Sequence, residues 1–311
     1  MSYRGNDYDV SARINTTDPQ IVNREIDRIY QELYPAAPTW QLDRAFGDLT
    51  RLYRGESPGY HPCDTAYHDV QHVLDVTLAM ARLIDGYERT RIGAQPLGDS
   101  LFRLGVITAL FHDVGYLRKL KDHRHSNGAE YTLTHVSRGS HFLKDYLPTI
   151  GMAEMADVAA QLIHFTGYEV PVAKISMPSP IYRLLGSLLG SADIIAQMSD
   201  RCYLEKCRDR LYPEFVAGGL AIKRTPEGKE QVVFASGEDL VIKTPIFFRG
   251  ATKRLEADLG GSYAYAQQHF GGQNLYLEEL NKNIRFAREI GADGDTSMLK
   301  RKPPDTLKQE D

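Results

Sequence analysis

The chain has few cysteines and no long uninterrupted apolar run. Only three cysteines occur among 311 residues, Cys63, Cys202 and Cys207, and no two of them form a CxxC pair. A disulfide framework is therefore not expected, and we predict a reducing, cytoplasmic setting. The longest apolar stretch, 181–198, is interrupted by charged residues and glycines, so we expect no membrane span. The first residues lack the basic-then-apolar pattern of a signal peptide.

A strong excess of charge of either sign is also missing. The 37 basic and 41 acidic residues give a formal net charge of -4, and 42% of the residues are hydrophobic. This composition is typical of soluble globular proteins and gives no reason to expect nucleic acid or a membrane surface as a partner. A protein of this charge that acts on an anionic substrate needs local cations, either metal ions or clustered lysines and arginines.

Helical patterning dominates, and we predict an all-α fold. Between Val70 and Ile84, apolar residues recur at three- and four-residue steps, as on one face of a helix. Further helices are predicted at about 18–33, 42–54, 100–114, 127–147, 153–165, 179–200, 246–269 and 274–290. Three short runs with β-branched residues predict a small β insertion, at 218–223, 231–235 and 240–244.

The length suggests one main domain with extensions. We predict N-terminal helices at 1–54 after a loose start at 1–17, a helical core at 55–215, a β-hairpin insertion at 216–245, C-terminal helices at 246–290 and a disordered tail at 291–311. The tail is predicted to be disordered because it is polar and carries two consecutive prolines.

Histidines and acids form a constellation on separate predicted helices. His68 and His72 are four residues apart and so share a helix face, while His112 and Asp113 end an apolar helix. Asp193 stands alone among apolar and small residues. Each feature by itself fits ordinary packing, but a buried carboxylate needs a cation or donors nearby. Two imidazoles and two carboxylates suit Zn, Mn, Fe or Mg, and Asp113 is placed to bridge two metals.

Two cationic features are candidates for substrate binding. The segment 117–125 follows the His-Asp pair, and its Arg118, Lys121 and His125 form either a cationic lip that attracts phosphate or an ordinary solvated loop. Arg201 lies about two helical turns after Asp193. It can hold a phosphate or pair with the acid four residues further along its helix.

The order His, His-Asp, Asp on separate helices resembles the HD-domain superfamily of metal-dependent phosphohydrolases. The sequence YHDVQH at 67–72 resembles the YHNxxH signature of class I cyclic-nucleotide phosphodiesterases, and 125–147 resembles the segment that follows their HD pair. The resemblance covers about 60–215. It implies an HD-type, phosphodiesterase-like helical bundle around a metal site.

The resemblance also implies roles for individual residues. His72, His112, Asp113 and Asp193 match the metal ligands of the family. His68 matches the histidine that protonates the leaving oxygen in class I phosphodiesterases.

Two further histidines resemble those of the HD-GYP branch. His135 and His164 match its additional metal-binding histidines, and in that branch the position of His68 can itself be a ligand. The chain departs from these patterns in two places. Tyr116 stands where class I phosphodiesterases have a further histidine, and the GYP triplet is absent, although Gly167–Tyr168 follows His164.

The resulting hypothesis is a metal-dependent phosphodiesterase that holds two divalent metals. It would hydrolyse a 3′,5′-cyclic nucleotide or a cyclic dinucleotide through a metal-bridged hydroxide, with Asp113 and His68 as catalytic residues. Three alternatives stay open: an HD-type nucleotidase or triphosphohydrolase, a di-iron oxygenase, and a degenerate domain that binds nucleotides without turnover. The sequence leaves the metal, the base and the oligomeric state open, including a homodimer formed through the C-terminal helices.

Overall fold

The periodic apolar residues lie on helices throughout the part of the chain that the structure describes, residues 4–224 and 229–306 of a computed structural model. The α-helices are α1 Pro19–Leu33, α2 Trp40–Tyr53, α3 Val70–Thr90, α4 Gly98–Leu110, α5 His135–Tyr146, α6 Ala156–Leu162, α7 Pro180–Ser199, α8 Tyr203–Lys206, α9 Tyr212–Ala217, α10 Gly237–Lys253, α11 Ala266–His269 and α12 Leu275–Asp293. The prediction of an all-α fold is confirmed. None of the helices in these described ranges combines the length and apolarity that a bilayer span requires.

Helix α3 lies at the centre of the helical assembly. It is buried on nearly every face, because α1, α4, α7 and α11 all pack against it. Asp69 caps its first turn by accepting a hydrogen bond from the backbone N–H of His72 at 3.0 Å. Helix α4 runs beside α3 and ends at Leu110, so His112 and Asp113 lie in the turn that follows it. These two boundaries bring both histidines to the same region of the fold.

The N-terminal segment 4–17, predicted to be loose, is tied to the core. Asp9 is buried, and its carboxylate accepts hydrogen bonds from the backbone N–H groups of Arg13 and Ile14 at 3.0 and 2.9 Å. It also pairs with Arg82 of α3, whose Nη2 lies 2.5 Å away. A loose start is therefore the wrong description, because Arg82 is almost fully buried and needs this counter-charge.

The prediction of a disordered tail is wrong for 291–306. Helix α12 continues into this segment, Leu299 is buried, and Thr306 donates a hydrogen bond of 2.5 Å to the carboxylate that caps α3. Arg210 donates to the carbonyl oxygens of both prolines of the segment. The tail is thus held mainly by polar contacts, which its low apolar content does not reveal. The prediction for 307–311 lies outside the described residues.

The β insertion is shorter than predicted. Strands β1 (Ile222–Arg224) and β2 (Glu230–Val232) pair antiparallel as a hairpin, and the chain between them, 225–228, lies outside the described residues. The third run, 240–244, is helical and belongs to α10, so its assignment to the insertion is wrong. Ser236 accepts a hydrogen bond from the backbone of the first turn of α10, and this cap together with burial overrides the strand preference of β-branched residues.

Two predicted helices are also shorter than expected. The stretch predicted at 127–147 begins as a 3₁₀ turn, and α5 starts only at His135. The stretch predicted at 153–165 contains α6, which has a 3₁₀ turn on either side. Two π-helical turns, Cys207–Leu211 and Arg254–Asp258, interrupt the later helices. The predicted domain boundaries stay predictions.

The Asp9–Arg82 pair predicts how stability depends on pH. The charge of Arg82 and several hydrogen bonds outweigh burial and lower the pKa of Asp9 from 3.8 to about 2. A carboxyl whose pKa is lower in the folded state than in the unfolded state stabilises the fold at pH values above its unfolded-state pKa. This contribution is lost as the pH falls through about 2. It amounts to ~2 kcal/mol.

We therefore expect Asp9→Asn to lower the free energy of unfolding at pH 7 by about 3–5 kcal/mol, because Arg82 loses its counter-charge. The free energy of unfolding of the variant should also fall less between pH 4 and pH 2 than that of the wild type. Urea denaturation at several pH values measures both effects. Asp157→Asn, at a side chain that is 90% exposed, is the control. An unchanged unfolding free energy for Asp9→Asn would contradict this account.

Candidate metal centre

Four elements bring histidines and acids together. His72 lies in the first turn of α3, His112 and Asp113 follow α4, His135 begins α5, and Asp193 lies on α7. Gly115 allows α5 to approach the turn after α4, because a Cβ at this position would lie 1.9 Å from the backbone oxygen of His135. The close approach places His135 beside the His-Asp pair.

The centre of the cluster consists of His72, His112 and Asp113, all buried. The two Nε2 atoms of the histidines lie 3.4 Å apart. Oδ2 of Asp113 lies 3.3 Å from Nε2 of His72 and 3.2 Å from Nε2 of His112. Asp193 adds an oxygen, since its Oδ1 lies 3.7 Å from Nε2 of His72. Three of the four ligands expected from the sequence thus form one compact group, and the fourth borders it.

The two oxygens of Asp113 face different imidazoles. Oδ2 faces His72 and His112, whereas Oδ1 lies 3.8 Å from Nε2 of His135. Among the described residues, Asp113 has one oxygen beside His72 and His112 and the other beside His135. This arrangement is what a carboxylate needs in order to bridge two cations.

Backbone carbonyls orient two of the rings. Nδ1 of His112 lies 2.7 Å from the oxygen of Ala109, and Nδ1 of His135 lies 2.7 Å from that of Thr132. Because a carbonyl oxygen only accepts, both Nδ1 atoms carry the proton. In each neutral ring the lone pair is then on Nε2, the atom that faces Asp113.

The electrostatics of the cluster call for positive charge. Burial lowers the pKa of His112, but Asp113 outweighs it and raises this pKa to about 9. Burial raises the pKa of Asp113, but His112 outweighs it and holds this pKa well below 3.8. Oδ2 of Asp113 is nevertheless buried without a hydrogen bond of ordinary geometry among the described residues. A divalent cation would supply the missing charge, so His72, His112 and Asp113 could hold a metal through nitrogen and oxygen ligands.

A separate acid–histidine pair lies beside the cluster. Nδ1 of His68 lies 2.5 Å from Oε2 of Glu214, and the buried Glu214 also accepts from the backbone N–H of Tyr67 at 2.6 Å. Burial lowers the pKa of His68, but the Glu214 carboxylate outweighs it and raises this pKa. Sequence reasoning missed Glu214, because it lies 146 residues from His68 and has no characteristic spacing.

The aromatic ring of Tyr116 separates His68 from His135. It stacks on His68 with ring centroids 4.2 Å apart and an interplanar angle of 18°, and on His135 at 4.4 Å and 16°. Tyr116, which stands where class I phosphodiesterases have a further histidine, is thus a buried ring stacked on two imidazoles. Its stack holds both rings in fixed orientations.

His164 lies in the 3₁₀ turn after α6, at the edge of this region. Among the described residues, no hydrogen bond or ion pair joins it to Asp113 or His135, and its buried Nδ1 lacks a hydrogen-bond partner. Burial lowers its pKa, as it lowers that of His135, and the charge of Glu169 acts on both rings. Its role as a ligand stays a prediction.

The cationic loop after the His-Asp pair is held by its own contacts. Nε of Arg118 pairs with Asp64 at 2.7 Å, and its Nη1 donates to the backbone oxygen of His125 at 3.2 Å. Nδ1 of His125 lies 2.8 Å from Asp122, and Lys121 is exposed. These contacts hold two of the three candidates, and their roles toward a substrate stay predictions.

Arg201 follows α7 in a turn rather than continuing the helix. Its Nε donates to Oδ1 of Asn6 at 3.0 Å, and its carbonyl oxygen accepts from Arg301. The N-terminal segment and the tail therefore meet at this residue. These contacts do not test the prediction that Arg201 binds a phosphate.

Comparison with models of protein families shows which family the chain belongs to. A family model described as Npun_R2479-like matches residues 59–252, well over half of the chain. The chain belongs to the Npun_R2479-like family. In this Npun_R2479-like protein the matched segment includes the metal cluster, His68 with Glu214, and the β-hairpin. A comparison with curated proteins found no match.

The cluster geometry predicts which substitutions weaken metal binding. We expect Asp113→Asn and His112→Ala to lower the affinity for Mn²⁺ or Zn²⁺ by at least about tenfold, because each removes a buried ligand atom. Metal content after loading and dialysis, measured by elemental analysis, tests this. The exposed His123→Ala and Asp157→Asn are the controls. Wild-type metal content in Asp113→Asn would refute the site.

Proposed function

We propose that this protein is a metal-dependent phosphohydrolase, and specifically a phosphodiesterase that acts on a 3′,5′-cyclic nucleotide or a cyclic dinucleotide. The observation that carries the proposal is the placement of a buried His/Asp cluster next to a separate proton-donating pair. The first part suits metal ions, and the second suits acid catalysis of ester cleavage. A metal site that only stabilises a fold does not require a proton-donating pair beside it.

The ligands divide into two groups that share Asp113. His72 and His112 border one of its oxygens, with Asp193 beside His72, and His135 borders the other. When bound, divalent metals at such a site supply Lewis-acid stabilisation of the phosphate and lower the pKa of a water molecule. His72, His112 and Asp113, which would hold that charge, are buried, and electrostatic interactions are stronger there than in bulk solvent.

His68 is the proposed proton donor. The Glu214 carboxylate at its Nδ1 stabilises the imidazolium form, and the side chain of His68 is 15% exposed, so it can be reprotonated from solvent. In the hydrolysis of a diester, an oxygen from water forms a new bond to phosphorus and the bond to the leaving oxygen breaks. His68 gives its proton to that leaving oxygen. Glu214 is a positioning residue because it acts through His68.

The stacking of Tyr116 supports the assignment of His68 as proton donor and of His135 as metal ligand. The ring lies between the proposed proton donor His68 and the proposed ligand His135, with both rings nearly parallel to it. Burial raises the pKa of Tyr116 well above 10, so its hydroxyl stays neutral. A neutral spacer at this place separates a cationic imidazole from one that must be neutral to bind metal.

The proposal predicts a dependence on the leaving group. We expect the protein, supplied with Mn, Mg, Fe or Zn, to hydrolyse cyclic mononucleotides or cyclic dinucleotides to linear monoesters. His68→Gln should lower kcat for these substrates by about 10²–10⁴. For bis(p-nitrophenyl) phosphate the loss should be less than about tenfold, because nitrophenolate leaves without protonation. Steady-state kinetics on both substrates, with metal content measured in parallel, test this.

Glu214→Gln should follow the same pattern with a smaller loss, and His112→Ala should abolish both activities. Equal losses on the two substrates in His68→Gln would contradict the role of His68. Release of inorganic phosphate or triphosphate in place of a linear monoester would show a nucleotidase or triphosphohydrolase. Bound iron with oxygen consumption and no hydrolysis would show an oxygenase.

A further inference from the structure

A second cavity lies beside the turn that carries the His-Asp pair. Its volume is about 350 Å³, within the range of small-molecule sites, and it opens to solvent. Its lining includes Lys119, Arg138, His141 and Asp145 and the aromatic rings of Phe142 and Tyr146. No residue of the metal cluster and no predicted substrate-binding residue belongs to this lining, so the cavity is distinct from the candidate metal centre.

Arg138 in this lining lacks a counter-ion. Its Nε donates to the backbone oxygen of Gly115 at 2.7 Å and its Nη2 to that of Leu117 at 2.8 Å. The guanidinium carbon lies 3.6 Å from the centroid of the Tyr131 ring. Among the described residues no carboxylate lies within ion-pair distance, and burial lowers the pKa of Arg138. A half-buried guanidinium in this position favours an anion in the cavity.

Two further polar side chains line the same cavity. Lys119 is exposed, and its Nζ lies 5.9 Å from the ring centroid of Tyr60. His141 donates from Nδ1 to the backbone oxygen of Ser137 at 2.6 Å, so Nε2 of the neutral ring is an acceptor for an N–H or O–H group. Two cationic side chains, Arg138 and Lys119, thus line one cavity in a protein of net charge -4. This concentration of donors favours a phosphate group.

The rest of the lining suits a flat aromatic body. Phe142 and Tyr146 stack with ring centroids 5.4 Å apart and an interplanar angle of 15°, and the ring of Tyr60 is also in the lining. Asp145 supplies the single carboxylate of the cavity, which accepts from N–H or O–H groups. A ligand that fits all these features has an anionic end, an aromatic ring and hydrogen-bond donors.

We propose that this cavity binds a 5′-mononucleotide, with its phosphate near Lys119 and Arg138 and its base against the aromatic rings. Val114 and Gly115 in the lining follow directly after Asp113. A bound nucleotide would therefore touch the turn that carries the metal cluster. The proposal does not rest on the phosphohydrolase activity, since it concerns binding in a different cavity.

Isothermal titration of the full-length protein with 5′-AMP tests the proposal. We expect Lys119→Glu to weaken binding at least tenfold, because the substitution reverses a charge beside the phosphate. Lys174→Glu, at an exposed lysine outside the cavity, should bind as the wild type does. Asp157→Asn, at an exposed side chain outside the cavity, should also bind as the wild type does. Adenosine and inorganic phosphate should each bind at least tenfold more weakly than 5′-AMP.

Several results would overturn the proposal. One is the absence of 5′-AMP binding. Another is binding that is lost in His112→Ala but kept in Lys119→Glu, which would place the nucleotide at the metal centre. Phosphate binding as tightly as 5′-AMP would show that the aromatic rings take no part. Thermal melting of Lys119→Glu, expected to match the wild type because the side chain is exposed, separates lost binding from lost folding.

Discussion

The buried carboxylate of Asp113 is the constraint on which the rest of the site depends. A charge removed from water costs several kcal/mol unless opposite charge surrounds it. The fold places imidazoles from three different elements, His72, His112 and His135, beside this carboxylate, and the pKa of His112 is raised there. These imidazoles can meet only because α3 and α5 begin, and α4 ends, in the same region of the fold. On the proposed function, a cation bound at this place would stabilise the arrangement, because it would neutralise the charge of Asp113.

The surrounding chain supports this arrangement through polar contacts that reach from distant segments. The cap residue of α3, Asp69, contacts Arg210 at 3.2 Å and Thr306 at 2.5 Å. The π-helical turn that contains Arg210 leads into α9, where Glu214 pairs with His68. The tail, the later helices and the first turn of α3 thus form one polar network around the proposed proton donor.

The sequence predicted the residues whose signal is local. His112 and Asp113 were predicted from their place at the end of an apolar helix and His72 from its spacing to His68, while the resemblance to the HD-domain superfamily implied that all three bind metal. The structure brings the three residues together. Glu214 could not be found in this way, because its partner His68 is far away in the chain and an isolated acid has no periodicity. The order of the segment 291–306 was missed for a similar reason, since hydrogen bonds rather than apolar burial hold most of it. The run 240–244 was misassigned because its helix cap lies outside the β-branched residues that predicted a strand.

The central claim is that Asp113 joins two cation sites, and anomalous diffraction tests it most directly. Crystals grown with Mn²⁺ or Zn²⁺ would be measured at the absorption edge of the metal. The account predicts one anomalous peak within bonding distance of His72, His112 and Asp113, and a second on the side of Asp113 that faces His135. Anomalous peaks elsewhere, or a metal-loaded protein in which Asp113 ligates no ion, would contradict it.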